Sequence, residues 1–237
     1  MPSATATASK KRAISFSALD KYHTCPRQYY RTSIKKDIPF VESDSMRYGK
    51  FVHKALEELM RFNRPLPESL RYLMGNKEIT NLVKLIGRPG VEILCEQKIA
   101  LTQDKKVVTW FHKDVWFRAQ LDLAIIVDGK VILIDYKTGK RSKFPNYKQL
   151  EFTAAALDVI RPGNKEYHVS YMWTAEDCAR DKHSFKAEVI PSIWSEIENM
   201  EGPLQYSVAT DTFHPTPNGL CRGWCPVKDC EFWESKS

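Results

Sequence analysis

The chain is 237 residues long, 43% hydrophobic and 27% charged, with 36 Lys and Arg against 29 Asp and Glu. That balance excludes a disordered or collagen-like chain, and the length suffices for one sizeable core without disulfides. No run approaches the roughly 18 apolar residues a membrane span requires, so no membrane partner is expected.

The net charge of +7 is local. Lys10 to Lys36 holds eight cations and one acid, Asp20, and Lys137 to Lys148 holds five cations and no acid, so the two blocks carry +12 and the rest of the chain −5. A polyanionic partner and two solvated faces both accord with this pattern. The opening MPSATATAS is small and polar, and no apolar segment follows the KKR after it. No secretory signal is therefore read, and residues 1–13 are expected to be a disordered tail. Six cysteines without such a signal point to reduced thiols in the cytoplasm.

Ser15 and Ser17 offer N-caps for a short helix around Leu19 and Tyr22, interrupted at Pro26 and followed by a turn over RQYYR. Tyr22, Tyr29 and Tyr30 stand among cations there, suited to stacking on bases or to internal packing. From Ser45 to Phe62 the residues Tyr48, Phe51, Val52, Ala55, Leu56, Leu59 and Met60 recur at helical spacing, with His53 at the stripe's edge and Gly49 one turn before it. Residues 66–90 are broken by Gly75, Gly87, Pro89 and Gly90.

Strands follow. VEILCEQKIAL is one, with Cys95 in it, and Val115 to Val127 alternates strictly, placing Val115, Phe117, Ala119, Leu121, Leu123, Ile125 and Val127 on one face. Asp128-Gly129 then signals a two-residue hairpin into KVILIDYK. Asn146 caps a helix carrying Tyr147, Leu150, Ala154 and Leu157 to about Ile160, and Pro162-Gly163 ends it. EYHVSYMWT and HSFKAEVI read as further strands, with Cys178 in an acidic turn between them, and SIWSEIENM as a late helix. A strand, helix, strand order over 130–174 implies a crossover, hence a mixed sheet in an α/β or α+β class.

A two-residue loop at 128 and 129 places Asp122 opposite Asp135 and Gln120 opposite Lys137. Like charges directly opposed destabilise a sheet, so a compensating group is expected. A divalent cation suits two hard oxygen donors on adjacent strands, and a salt bridge of these aspartates with Lys137 or Arg118 is the alternative. Lys137 shares the face of Asp135, where an ammonium can assist a water or neutralise charge on a phosphate. At the far end of the chain, Cys221, Cys225 and Cys230 fall within LCRGWCPVKDC, a density suited to metal or cluster ligation, and Cys25 is a candidate fourth thiolate.

The order His53, Asp122, Asp135-Tyr136-Lys137, then Gln149 with an aromatic at Phe152, resembles the RecB-like branch of the PD-(D/E)XK nuclease superfamily. SFSALDKYHTCPRQYYR and the C-terminal cysteines resemble its iron–sulfur members: the CRISPR-associated RecB-like exonucleases, their phage-encoded relatives and the AddB nuclease domain. The resemblance runs from about Ser15 to Trp233, with 63–90 unmatched. It implies a restriction-endonuclease-like mixed sheet flanked by helices in one nuclease domain over 14–237, whose segments 14–40 and 205–237 form a cysteine-bound lobe.

The resemblance further implies a magnesium- or manganese-dependent DNA exonuclease acting on single strands or duplex ends, in recombination, repair, or phage or CRISPR DNA processing. A protein partner from recombination or CRISPR adaptation, and the host cytoplasm for a phage-encoded chain, go with that reading. His53, Asp122 and Asp135 would be metal ligands, with the Tyr136 carbonyl a fourth. Lys137 would be the catalytic lysine and Gln149 the helix residue that contacts DNA or braces the site. Glu96 matches an acidic position in the preceding strand. Cys25, Cys221, Cys225 and Cys230 would hold a 4Fe-4S cluster, with zinc the alternative. Lys140, Arg141, Lys143, Tyr147, Lys148 and Phe152 would meet DNA. Three positions depart from the family pattern: Ala119 replaces glycine, Phe152 replaces tyrosine, and the terminal cysteines are separated by three and four residues instead of two and five. A catalytically silent nucleic-acid binder and a zinc-stapled interaction module remain as competing readings.

Overall fold

The structure, a computed structural model, describes residues 12–235. The expected tail therefore lies largely outside the described residues, as do Lys10 and Lys11. Arg12 is placed, its guanidinium donating to Ser33 O at 3.1 Å.

Five strands form one sheet in the order β1 (Val91–Leu101), β2 (Phe117–Val127), β3 (Lys130–Lys137), β4 (Glu166–Trp173), β5 (Ala179–Lys186). Every pairing is antiparallel except β3 with β4, the parallel pair made by the crossover helix α5 (Lys148–Ile160). The sheet is mixed, as expected. Asp128 and Gly129 have φ of 50° and 70°, the two positive values a type I′ hairpin needs, and Val127 pairs with Lys130.

Helices cover both faces. α1 (Phe16–Thr24) begins at Ser15, whose side chain accepts from Ala18 N, and α2 (Pro26–Tyr29) continues into a π-helical turn to Ile34. α3 (Asp44–Phe62) buries Val52, Ala55, Leu56, Leu59 and Met60, while Tyr48 and Phe51 are exposed; the apolar stripe is narrower than the spacing suggests. The ambiguous 66–90 region folds as a 3-10 segment (Glu68–Gly75) and α4 (Lys77–Val83), which add Leu66, Leu70, Leu73, Ile79 and Leu82 to the α3 side. β5 begins and ends earlier than HSFKAEVI implies, because Ala187–Val189 turn into α6 (Ile190–Thr210), which runs on past Pro203.

The structure also corrects the expected strict alternation along β2. Phe117, Ala119 and Leu121 pack in the α5–α6 layer, but Leu123 and Ile125 pack in the α3 layer. The change of face falls at Asp122. Opposite it on β1, Glu96 has φ of 47° and no ladder partner, while Cys95 still pairs with Leu123 and Gln97 with Leu121. Two strands thus reverse their faces together at one level, and a local break of this kind re-aims side chains. The strand itself starts at Phe117; Val115 and Trp116 belong to the long 102–116 connection, where Ile14 N donates to Trp116 O.

The tyrosines of the N-terminal segment are packed. Tyr22 and Tyr29 are 5% and 4% exposed, and Tyr22 OH bonds Pro203 O and Ser207 of α6. Tyr30 stacks on Phe213 at 4.8 Å. Burial excludes base stacking by Tyr22 and Tyr29, and Tyr30 has one face taken up by Phe213. The same segment meets the C-terminal tail through Arg27 with Glu231, Arg31 with Asp229, and Asn218 with Thr24 O.

Candidate metal centre and its surroundings

The hairpin register holds through Leu123 and Ile134, then the ladder opens. At the next level the Tyr136 N–H donates at 2.8 Å to Asp122 Oδ2, a side chain in place of a strand carbonyl. β3 leaves β2 there and stays on β4, reaching Lys137 opposite Trp173. Gln120 consequently does not face Lys137; its amide donates to Glu96 Oε2. The opening leaves a cleft of about 970 Å³ lined by His53, Glu96, Asp122, Asp135, Lys137 and Gln149 among others.

α3 delivers His53 into it. A Cβ on Gly49 would lie 3.3 Å from Thr138 Oγ1, so the missing side chain lets the end of β3 approach the helix. His53 Nδ1 is 3.3 Å from Asp122 Oδ2 and 3.9 Å from Glu96 Oε1, and its Nε2 is 2.9 Å from the Tyr136 carbonyl. Burial opposes the imidazolium, but its interactions with the accepting carboxylates of Asp122 and Glu96 outweigh that and raise His53 to about 10. His53 in turn holds the Glu96 carboxyl below its usual value against the cost of burial.

Asp135 sits behind this group. Burial, then repulsion from Asp122, raises it to about 6 despite the nearby Lys137 ammonium. Lys137 Nζ is 2.6 Å from Asp135 Oδ2 and 3.3 Å from Gln149 Oε1, and lies 5.0 Å from the centroid of the Tyr171 ring. The Gln149 amide closes the circuit on Asp135 Oδ1 at 2.9 Å. Asp135 Oδ2 is buried and, though close to the ammonium, receives no hydrogen bond in proper geometry.

These donors fit a divalent cation. His53, Glu96 and Asp122 offer ligand atoms within 4.8 Å of one another. The hydrogen bond between His53 Nε2 and the Tyr136 carbonyl, at 2.9 Å, sets that carbonyl oxygen beside the same group. The underused Asp135 oxygen supplies a further acceptor. Carboxylates and a carbonyl suit magnesium or manganese, and the imidazole tilts the set toward a transition ion.

The remaining expected residues divide. Phe152 is fully buried, edge-on to Phe16, and supports α5 from inside, so it meets no ligand. Tyr147 stacks between Tyr171 and His183. Arg141 pairs with Asp181 and Lys148 with Glu196, leaving Lys140 and Lys143 exposed with no ion-pair partner among the described residues. Tyr171, which the sequence reading missed, is the parallel neighbour of Asp135.

Cys25, Cys221, Cys225 and Cys230 line one opening between the N-terminal segment and the tail. Thr216 N points at Cys25 Sγ at 3.4 Å and Asn218 N at Cys221 Sγ at 3.5 Å. Burial raises the Cys225 and Cys230 thiols above their usual value. Cys95 and Cys178 are buried in the α3 layer, apart from this group.

The chain belongs to the PD-(D/E)XK nuclease superfamily, whose family pattern matches residues 13–230. No curated protein matches the sequence. Among solved structures, the chain is similar to the protein SSO0001 at 15% identity, covering 94% of this chain and 87% of that one with a TM-score of 0.50. It is also similar to a candidate exonuclease from Eubacterium rectale at 10% identity, covering 98% and 91% with a TM-score of 0.48. No described helix is long and apolar enough to cross a membrane.

Proposed function

We propose that this PD-(D/E)XK superfamily member is a magnesium- or manganese-dependent deoxyribonuclease that degrades DNA from its ends. The observation that carries the reading is the convergence, where the hairpin ladder opens, of Asp122, Asp135 and Lys137 beneath His53. A salt bridge alone would account for Asp135 with Lys137; it would not account for two more carboxylates and a histidine turned into the same cleft, at the cost of a break in two strands.

His53, Asp122, Asp135 and the Tyr136 carbonyl would hold the cation, with Glu96 a further donor. The bound ion supplies a Lewis acid to a phosphoryl oxygen and lowers the pKa of a water. Lys137, steadied by Asp135, Gln149 and the Tyr171 ring, presents an ammonium to charge developing on phosphate. Gln149 is a positioning residue that keeps both partners in register. Lys140 and Lys143, directly after the catalytic strand, attract the DNA backbone.

The four tail and N-terminal cysteines would bind a 4Fe-4S cluster. They share one opening between the N-terminal segment and the tail, the common position such a ligand set needs. Backbone N–H groups aimed at Cys25 and Cys221 suit a cluster, whose sulfurs accept hydrogen bonds. Such a link would fasten segments 14–40 and 205–237 as one lobe. A role in recombination, repair, or phage or CRISPR DNA processing, in the cytoplasm, accords with this chemistry. The test compares linear with covalently closed circular single-stranded DNA in manganese: loss of the linear form alone supports the reading, and cutting of the circle at equal rate, or of neither, refutes it.

A further inference from the structure

The 102–116 connection carries chemistry that the metal cleft does not use. Phe111 is 85% exposed. A single exposed ring is ordinary, but this one carries an arginine beside it and adjoins a second ring approached by two cations. The Arg118 guanidinium lies 5.7 Å from the Phe111 centroid and 5.4 Å from that of Trp110, and Lys98 Nζ lies 5.5 Å from the Trp110 centroid. Arg118 is fixed in place, with Nε donating to Trp110 O at 2.8 Å and its backbone N–H to Ile14 O at 2.9 Å.

The position of this group relative to the site gives it meaning. A cleft of about 770 Å³ is lined by Phe111, Arg118, Arg12 and Lys113, with Asp211 its one acid. A second opening of about 400 Å³ is lined by Trp110, Arg118, Gln120 and Gln149. Gln120 and Gln149 also line the metal cleft. Arg118 is thus shared by the first two openings and the two glutamines by the last two, so the three openings form a series from Phe111 to Asp135, with cations lining both ends.

We propose that this series is a lane that carries one strand of single-stranded DNA to or from the metal cleft, with a base stacked on Phe111 and phosphates on Arg118, Lys113 and Arg12. Aromatic rings beside fixed cations match the two faces of an unpaired strand, while a duplex keeps its base faces covered. The inference rests on the nuclease reading for its ligand and makes a distinct demand on the protein. It puts the base contact on the exposed Phe111 rather than on Phe152 and Tyr29, which line the same openings but are buried.

The test measures anisotropy of labelled oligothymidylate and of a blunt duplex without added magnesium or manganese. Phe111→Ala should weaken single-strand binding on the order of tenfold and leave duplex binding unchanged. Phe111→Trp should keep or improve single-strand binding, and Phe111→Leu, apolar without a π face, should fall with alanine. The ring is in solvent, so none of these changes threatens folding. Single-strand binding by Phe111→Ala equal to that of wild type, or an equal loss for both DNAs, overturns the lane. Cleavage by wild type alongside that result leaves the nuclease reading standing. Selective binding that depends on Phe111, in a protein that cleaves nothing with manganese, supports the lane and overturns the nuclease reading instead.

Discussion

Replacing Asp135 with asparagine should make the metal-free protein more stable and inactive at once. Burial and Asp122 hold Asp135 at about 6, above its ordinary 3.8. Between those values the folded state binds more protons than the unfolded one, so stability falls as pH rises through the window and the cost is complete above pH 6. A shift of that size sets a ceiling of about 3 kcal/mol. Loss of the Lys137 contact and relief shared with Asp122 reduce the expected gain to about 1–2 kcal/mol. For a chain of this length that corresponds to a rise of about 2–8 °C in Tm. The assay is a pair of melting curves in EDTA at pH 7.5, repeated toward pH 4, where the difference should close. Manganese should raise the wild-type Tm and have much less effect on the variant. A variant that melts below wild type at pH 7.5, or that still degrades DNA, would refute the claim that Asp135 is held charged at a cost for use with a cation.

Gln149→Leu removes a donor to Asp135 and an acceptor from Lys137, a loss of about 1.5–3 kcal/mol in the charged arrangement, and should lower kcat on the order of tenfold or more while moving the acid limb of the pH profile upward. An unchanged profile would reduce Gln149 to a surface contact. Because His53 is raised to about 10, it is protonated in the metal-free protein at pH 7, and a cation takes only the neutral ring. Manganese titration in buffers of differing ionisation enthalpy should therefore show release of about one proton per ion bound; no release would count against His53 as a ligand. Cys25→Ser should abolish or shift the broad absorption near about 400 nm expected of the anaerobically purified protein, and a colourless wild type containing zinc would replace the cluster reading.

The hairpin could be read from its turn, since Asp128 and Gly129 are the pair that a type I′ bend demands and the register follows from loop length. Loop length thus places Asp122 near Asp135, whereas the spacing of α3 sets His53 only at the edge of its apolar stripe, and its place beside the aspartates is what the family resemblance implies. What stayed hidden depended on long-range geometry. The reversal of faces at Glu96 and Asp122 has no glycine to announce it, because a carboxyl-bearing residue takes the positive φ. Phe152 lies on a helix whose buried face takes in Leu150, Phe152, Thr153, Ala154, Ala155, Ala156 and Leu157, so sequence could not tell its inner side from its working one. Within the N-terminal cation block, Arg31 and Lys35 pair with Asp37 just beyond it, but the further partners of Arg27 and Arg31, Glu231 and Asp229, are some two hundred positions away and could not be read from the local sequence. Tyr171 became a neighbour of Asp135 through a parallel pairing whose register no short loop dictates.

The most direct measurement is digestion of end-labelled single- and double-stranded DNA by wild type and Lys137→Ala, each with manganese and with EDTA. The account requires end-directed loss by wild type only in manganese, and a fall on the order of a hundredfold or more in the variant with its fold and metal-induced Tm shift retained. Equal cleavage by the two proteins, or none by metal-loaded wild type, would contradict it.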